Sequence, residues 1–200
     1  TFRFYLEQGF YLAGVLAAEM SKTGVLAMIG GPDVPSIRST FKAFAAGAKS
    51  VKSGIRVIET FTGSGDDVAK AKLATLAAIK EGADVVIHQA NAAAQGVFDA
   101  CKEKGVYAIG ANLNQNDNPS GVVLASAVIN AKPAFVELAK SVKDGTFEGQ
   151  VLLRGLDVGA IDFFINPKLQ DKVPEPVLRK LEEIKADIRA GKRKVPLDQF

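Results

Sequence analysis

Chemistry-bearing residues are scarce in this chain. Its 200 residues include one cysteine, one histidine, two methionines and no tryptophan. A lone Cys101 cannot close an internal disulfide, and one Cys with one His cannot assemble a metal cluster or a cysteine-centred triad. Cys101 shares a helical face with Val97 and Phe98 and reads as core. An excess of charge is missing too: the net charge is +3, scattered along the chain, and only Lys192, Arg193 and Lys194 gather. That run reads as a solvated chain end, and nucleic acid is not expected as a partner. Apolar runs are broken by charge or glycine well short of the roughly 18 residues a membrane-spanning helix needs. No signal peptide or lipidation motif is found. The opening TFRFYLEQGFYLAG carries no start signal, as though an earlier part of the protein had been removed.

What is present is a hydrophobic content of 48%, enough to bury the core of one domain or of one and a half. Short β-branched runs at Val25–Ile29, Ile55–Thr60, Asp84–Ile87 and Val106–Ile109 alternate with helical patterns at the spacing of βαβ units. Their near-continuous hydrophobicity places helices on both faces. The fold class is therefore α/β, a doubly wound parallel sheet. Leu12, Ala13, Leu16, Ala17 and Met20 make one helical stripe. A second helix begins at Asp66 and Asp67, where an N-terminus favours negative charge, and closes at Gly82. Val97, Phe98 and Cys101 mark a third, ending at Gly105. Further helices are predicted from about Pro133 to Val142 and from about Pro174 to Ala190, with strand-like Val151–Leu156 and Ala160–Ile165 between them.

In an open parallel sheet, ligands collect outside the carboxyl ends of the strands. Four loops fall there: Gly30-Gly31-Pro32-Asp33, Gly63-Ser64-Gly65-Asp66-Asp67, His88-Gln89-Ala90-Asn91 and Asn112-Leu113-Asn114-Gln115. Amides both donate and accept, so this cluster suits a neutral, hydroxylated or heterocyclic guest better than a phosphate or a metal ion. Asn116 to Ser120 read as turn chemistry; for Asn112 and Asn114, turn and ligand contact both stand. His88 has no nucleophile or orienting carboxylate assignable from spacing, which leaves a ligand contact or a structural hydrogen bond. Gly30-Gly31 lacks the G-x-G-x-x-G fingerprint and nothing resembles a Walker loop, so no cofactor is expected.

The runs YLAGVLAAEMSKTGVLAMIGGPDVPSIRSTFKAFAAGAKSV and GSGDDVAKAKLATLAAIKEGADVVIHQANAAAQGVFDACKEKGVYAIGANLNQ carry a family resemblance, continued by the closing helix around KLEEIK. From about residue 7 to its end the chain resembles the basic membrane protein family of ABC-importer solute-binding lipoproteins, the purine nucleoside receptor group. The resemblance implies a type I periplasmic-binding-protein fold, two α/β lobes closing over a ligand, and no catalysis. It also implies that family members carry further residues upstream, with a signal peptide, a lipidated cysteine and most of the first lobe. On that basis residues 1–128 form the ligand-binding lobe, mostly the second one. Residues 129–200 form C-terminal returns that normally pack on the first lobe and hinge, so that Ala131–Ile165 lack their usual packing partner. Expected partners are a purine- or nucleoside-like small molecule and an ABC permease, in an extracytoplasmic location, with the membrane reached only through a lipid anchor absent from this chain. A cytoplasmic ligand sensor, or the effector-binding module of a transcription regulator, is the alternative on the same fold.

Carried over position by position, the family's G-V-D-x-D-Q loop falls on Asn112, Asn114 and Gln115, so amides replace both acids and the glutamine is kept. Its S-F-x-D-P falls on Ser64, Gly65, Asp66, Asp67 and Val68, without the aromatic. Its G-L-K-D-G-G-V falls on Gly155 to Ile161, with Asp157 in the place of the lysine. The expected ligand-binding set is His88, Asn91, Asn112, Asn114, Gln115, Asp33, Asp66 and Asp157.

Overall fold

The alternation of apolar runs with amphipathic stretches becomes a series of βα units in the computed structural model, which describes residues 1–198. In chain order the elements are β1 (Phe2–Phe4), α1 (Leu6–Met20), β2 (Val25–Gly30), α2 (Pro35–Val51), β3 (Arg56–Phe61), α3 (Val68–Lys80) and β4 (Val85–Gln89). There follow α4 (Ala94–Lys104), β5 (Tyr107–Asn112), β6 (Val123–Ile129), α5 (Lys132–Lys143), β7 (Leu152–Arg154), β8 (Ile161–Ile165) and α6 (Glu175–Arg189). Local chemistry sets the boundaries. Pro35 opens α2, where its missing N–H costs nothing. Asp67 caps α3 by accepting from the Lys70 N–H at 2.9 Å, and Gly105 ends α4 in the left-handed conformation, φ 66°.

The main sheet has the order β3-β2-β4-β5-β6-β8. Its first five strands are parallel, and β8 runs antiparallel against β6. Alternate residues feed two cores. Leu26, Met28, Val85, Ile87 and Ile109 face α1, α2 and α6, whereas Ala27, Ile29, Val86 and Ala108 face α3 and α4 with Val97, Phe98 and the buried Cys101. The chain leaves β2 for one neighbour, β3, and returns to the other, β4. This makes the carboxyl ends of β2 and β4 the switch point at which such sheets open a crevice.

Two elements of this lobe lie outside the sequence reading. α2 is one, and β6 is the other: no strand is expected between Ile109 and Val151, yet Val123–Ile129 forms a fully integrated strand. Ala125, Ser126 and Ala127 carry little β-propensity, but their smallness is structural. A Cβ on Gly9 of α1 would lie 3.0 Å from Ala127 Cβ, so larger residues here would push the helix off the sheet. β8 and α6, which a division at 128/129 sets among the returns, build into the same unit. β8 is the sixth strand, and α6 packs Leu181, Ile184 and Ile188 on the face that carries α1. What stands apart is the small parallel pair of β1 and β7 with α5 beside it. Phe2 meets Phe135 edge-on, ring centroids 5.2 Å apart, while Phe135, Val142, Val151 and Leu153 stay exposed. Among the described residues no helix is long and apolar enough to cross a membrane.

α1 and α2 meet backbone to backbone. A Cβ on Gly14 would lie 2.0 Å from the Phe44 carbonyl oxygen, and one on Gly47 would lie 2.0 Å from that of Tyr11. Backbone cannot yield as a flexible side chain can. Gly14→Ala is therefore expected to destabilise the fold by about 3 kcal/mol, read as a lowered urea midpoint. A midpoint unchanged from wild type would show that the helices separate without cost.

Candidate functional site at the strand ends

The loops after β2, β3 and β4 are fastened to one another by backbone hydrogen bonds. Gly31 N–H donates to the Gln89 carbonyl at 3.0 Å, Gly63 N–H to the Gly31 carbonyl at 3.0 Å, and Ala93 N–H to the Gly65 carbonyl at 3.0 Å. Two glycines make this possible. A Cβ on Gly31 would stand 3.1 Å from Gly65 Cα, and one on Gly65 would stand 3.2 Å from the Asn91 amide nitrogen. Asn91 and Asn112 hold positive φ, 46° and 69°, a conformation that short amide side chains tolerate better than most. Asn112 Nδ2 donates to Gln89 Oε1 at 2.8 Å, which joins the end of β5 to the end of β4. Asn91, Gln89 and Asn112 thus lie along one ledge at the switch point.

His88 belongs to the layer beneath. It is 1% exposed, points to the α4 side, and meets Phe98 edge-on at 5.2 Å. Its Nδ1 accepts from the Ala90 N–H at 3.4 Å, so the proton of the neutral ring sits on Nε2, which donates to Gln115 Oε1 at 2.8 Å. The same oxygen accepts from the Ala111 N–H at 2.9 Å. Gly110 makes room for this amide: a Cβ there would lie 2.8 Å from Gln115 Oε1 and 2.7 Å from Ser126 Oγ. The structure thus takes His88 and the Gln115 side-chain oxygen out of the ligand-facing set, because both are spent on holding the strand ends. Of the two roles open to His88 from the sequence, the geometry is that of the structural hydrogen bond.

The asparagine-rich run that follows continues the fastening. Ser126 Oγ accepts from the Gln115 N–H at 3.0 Å and donates to Asn116 Oδ1 at 2.8 Å. Asn116 Nδ2 donates to the Phe164 carbonyl at 3.2 Å, and Asn166 Nδ2 donates to the carbonyls of Asn116 and Val123 at 2.8 and 2.7 Å. Asn116, Ser126 and Asn166 are all buried. Asn114 is exposed and closes a local turn, its Oδ1 accepting from the Asn116 N–H at 3.1 Å.

The three aspartates are spread along the rim rather than gathered. Asp33 is held by Arg38 through two bonds of 2.5 Å at the β2–β3 side, with the guanidinium 5.1 Å from the Phe61 ring centroid. Asp66 accepts from Ser64 Oγ beside the start of α3. Asp157 is exposed in the loop before β8, whose start adjoins the end of β6, so it lies on the same end of the sheet but toward the far edge. Gln89 was missed by the sequence reading, which weighed the lone histidine of that loop instead. The available signal was a polar side chain closing an apolar strand at the switch point.

Burial lowers the pKa of His88 to about 4, against the opposing pull of the Gln115 hydrogen bond. The unfolded chain therefore takes up this proton near pH 6.5 while the folded chain resists, so the contribution of His88 to stability is complete above about pH 6.5 and drains away toward pH 4. Between pH 7 and pH 5 the loss from this group is about 2 kcal/mol. Urea unfolding at the two pH values is expected to show it, and a His88→Gln variant to lack it. Equal pH dependence in the two proteins would refute the assignment.

Comparison with known proteins identifies the family and the fold. The family described as ABC transporter substrate-binding protein, PnrA-like (Bmp), matches residues 1–194. A purine-binding protein of Brucella abortus is 30% identical over 191 residues, covering 94% of this chain and 52% of that protein. The ABC transporter nucleoside-binding protein BmpA of Lactococcus lactis is 32% identical over 204 residues, covering 93% of this chain and 57% of the relative. The chain thus spans about half the length of these curated relatives. Among solved structures, a solute-binding protein of an Aeropyrum pernix ABC transporter system superposes with TM-score 0.86 at 19% identity, over 100% of this chain and 66% of that one. A transcriptional activator of the comK gene from Bacillus halodurans superposes with TM-score 0.82 at 25% identity, over 98% and 66%. The fold is that of type I periplasmic binding proteins, and the chain belongs to the Bmp family of PnrA-like ABC transporter substrate-binding proteins, a family of solute binders rather than enzymes.

Proposed function

We propose that this chain supplies one lobe of a solute receptor for an ABC importer, and that the ledge of Gln89, Asn91 and Asn112 takes a purine, a nucleoside or a similar small polar heterocycle. The observation that carries the reading is the coming together of these uncharged amides at the switch point of a sheet whose relatives include a purine-binding and a nucleoside-binding protein. Neutral donors and acceptors suit a neutral heterocycle, whereas a phosphate would call for cationic groups or a helix terminus aimed at it. The lobe comprises the six-stranded sheet with α1 to α4 and α6, and the segment from α5 to β7 with β1 is the return toward a second lobe. Asp33, Asp66 and Asp157, with Asn114, are rim positions within reach of a larger ligand. The receptor works outside the cytoplasm and delivers its ligand to an ABC permease, hinge closure reporting occupancy.

A second reading is a ligand sensor in a transcription regulator, favoured by the comK activator that shares the fold at 25% identity. The sequence upstream of this chain decides between the two: an export signal with a lipidated cysteine supports the receptor, and a helix-turn-helix the regulator.

Calorimetric titration of the full-length protein that carries this chain, against nucleosides, free bases and sugars, is the direct test. Saturable binding of a purine or nucleoside is expected, weakened roughly tenfold by Asn91→Ala through loss of one hydrogen bond to the ligand. Silence across the panel, or binding of sugars alone, would overturn the proposal.

A further inference from the structure

The bond between Asn112 and Gln89 leaves a defined remainder. Two carboxamides joined by a single hydrogen bond, here Asn112 Nδ2 to Gln89 Oε1 at 2.8 Å, keep one carbonyl oxygen and one amino group free. Among the described residues neither Asn112 Oδ1 nor Gln89 Nε2 bonds to another protein group, and both residues are half-buried at the ledge. The remainder is the same for either orientation of the amides: if both turn over, Gln89 Nε2 donates to Asn112 Oδ1, and one carbonyl and one amino group are again left. The position is also fixed from below. The Gln89 carbonyl accepts from Gly31 N–H at 3.0 Å, and Ala111, next to Asn112, is tied to Gln115.

From this we infer that Gln89 and Asn112 act together as a specificity pair for a lactam edge, the adjacent N–H and C=O of an uncharged six-membered ring. The inference rests on the reading of the ledge as a purine or nucleoside site and names what that site recognises. A carboxylate at position 112 would offer acceptors only, complementary to the paired hydroxyls of a sugar. The amide pair offers a donor and an acceptor side by side, which a lactam edge meets with an acceptor and a donor at the same spacing. Gln89 contributes half of that code and lies at the switch point, where a guest approaches both β2 and β4. A ring whose edge nitrogen carries a methyl group cannot donate to the pair, and it brings the methyl against a polar surface.

The test is titration of the full-length protein with hypoxanthine and inosine and with their 1-methyl derivatives, alongside 2′-deoxyinosine. Methylation is expected to weaken binding by about tenfold or more, as for a site left with an unpaired buried polar group, while removal of the 2′-hydroxyl has a smaller effect. Gln89→Glu, which keeps an acceptor for Asn112 but loses the amino group that donates to the ring carbonyl, is expected to bind inosine about tenfold more weakly and still to discriminate against 1-methylinosine, because the acceptor for the ring N–H is Asn112 Oδ1. Equal binding of the methylated and unmethylated ligands, with loss on 2′-deoxyinosine, would put the sugar on the pair and overturn this inference while leaving the purine or nucleoside reading intact. No binding of any purine would overturn both. The comparison of ligands on the wild-type protein decides the matter even where the variant does not fold.

Discussion

The ledge depends on one side-chain oxygen. Gln115 Oε1 accepts from both His88 Nε2 and the Ala111 N–H, and through these two bonds it ties the end of β4 to the end of β5. With Ala111 held, the next residue turns into the left-handed region, φ 69° at Asn112, and its amide swings to Gln89. A side-chain carbonyl buried without partners would cost about 1–3 kcal/mol, so the network is sound only when complete. The same logic reaches β6 and β8 through Ser126, Asn116 and Asn166, each using a backbone group of its neighbour. A closely bonded polar layer of this kind fixes one arrangement of the strand ends, since alternative packings would break several of these bonds at once.

A division between spent and free amides follows. His88, the Gln115 side-chain oxygen, Asn116 and Asn166 are hydrogen-bonded inside the protein, whereas Asn91, Gln89 and Asn112 face the open end of the sheet. Each hydrogen bond to a ligand on an open ledge exchanges with water and nets only about 1 kcal/mol. Two or three such bonds give specificity without tight binding. Under the proposed function, affinity therefore has to come from a second surface that excludes water from the ligand. Ledge and closure are then complementary parts of one device: the amides select, and burial holds.

Much of the fold was legible because its strands are buried on both faces. β2 to β5 announce themselves as short apolar runs between helical stripes, and Asp67 and Gly105 mark helix ends where capping requires them. β6 was not legible, since its Ala-Ser-Ala centre answers to the closeness of α1 rather than to any strand preference, and a neighbour in space leaves no periodic trace in sequence. The candidate site was placed in the same way, from four loops rich in glycine and amide at the strand ends, and the fold brings the loops after β2, β3 and β4 into contact. Roles within it were not. His88 and Gln115 look as polar as Gln89 in the sequence, and only the hydrogen bonds made in the fold separate the groups that hold the ledge from those that form it. The resemblance to the Bmp family supplied the family itself, which composition and spacing could not.

Stability is distributed unevenly over this chain, and the unevenness has a direction. The six-stranded sheet is sandwiched between two buried cores, so its opening requires exposing most of the apolar surface at once. β1 and β7 are three residues each and pair only with one another, and a two-stranded sheet is marginal in water. α5 beside them buries Ala134 alone and leaves Phe135, Val136 and Val142 exposed. Low burial of apolar surface means low free energy of local opening, so this end of the molecule exchanges and moves before the sheet does. The segment is nonetheless anchored at both ends to the ledge side of the sheet. β1 runs into α1, where Arg3 and Ser39 both bond the buried Glu7 carboxylate, and the loop from β7 into β8 is pinned by Gln8 to Leu156 and by Asn130 to Ala160. A loosely packed piece mounted on rigid supports can shift with whatever packs on its exposed apolar side at little cost, whereas the bond between Gln89 and Asn112 belongs to the well-packed sheet.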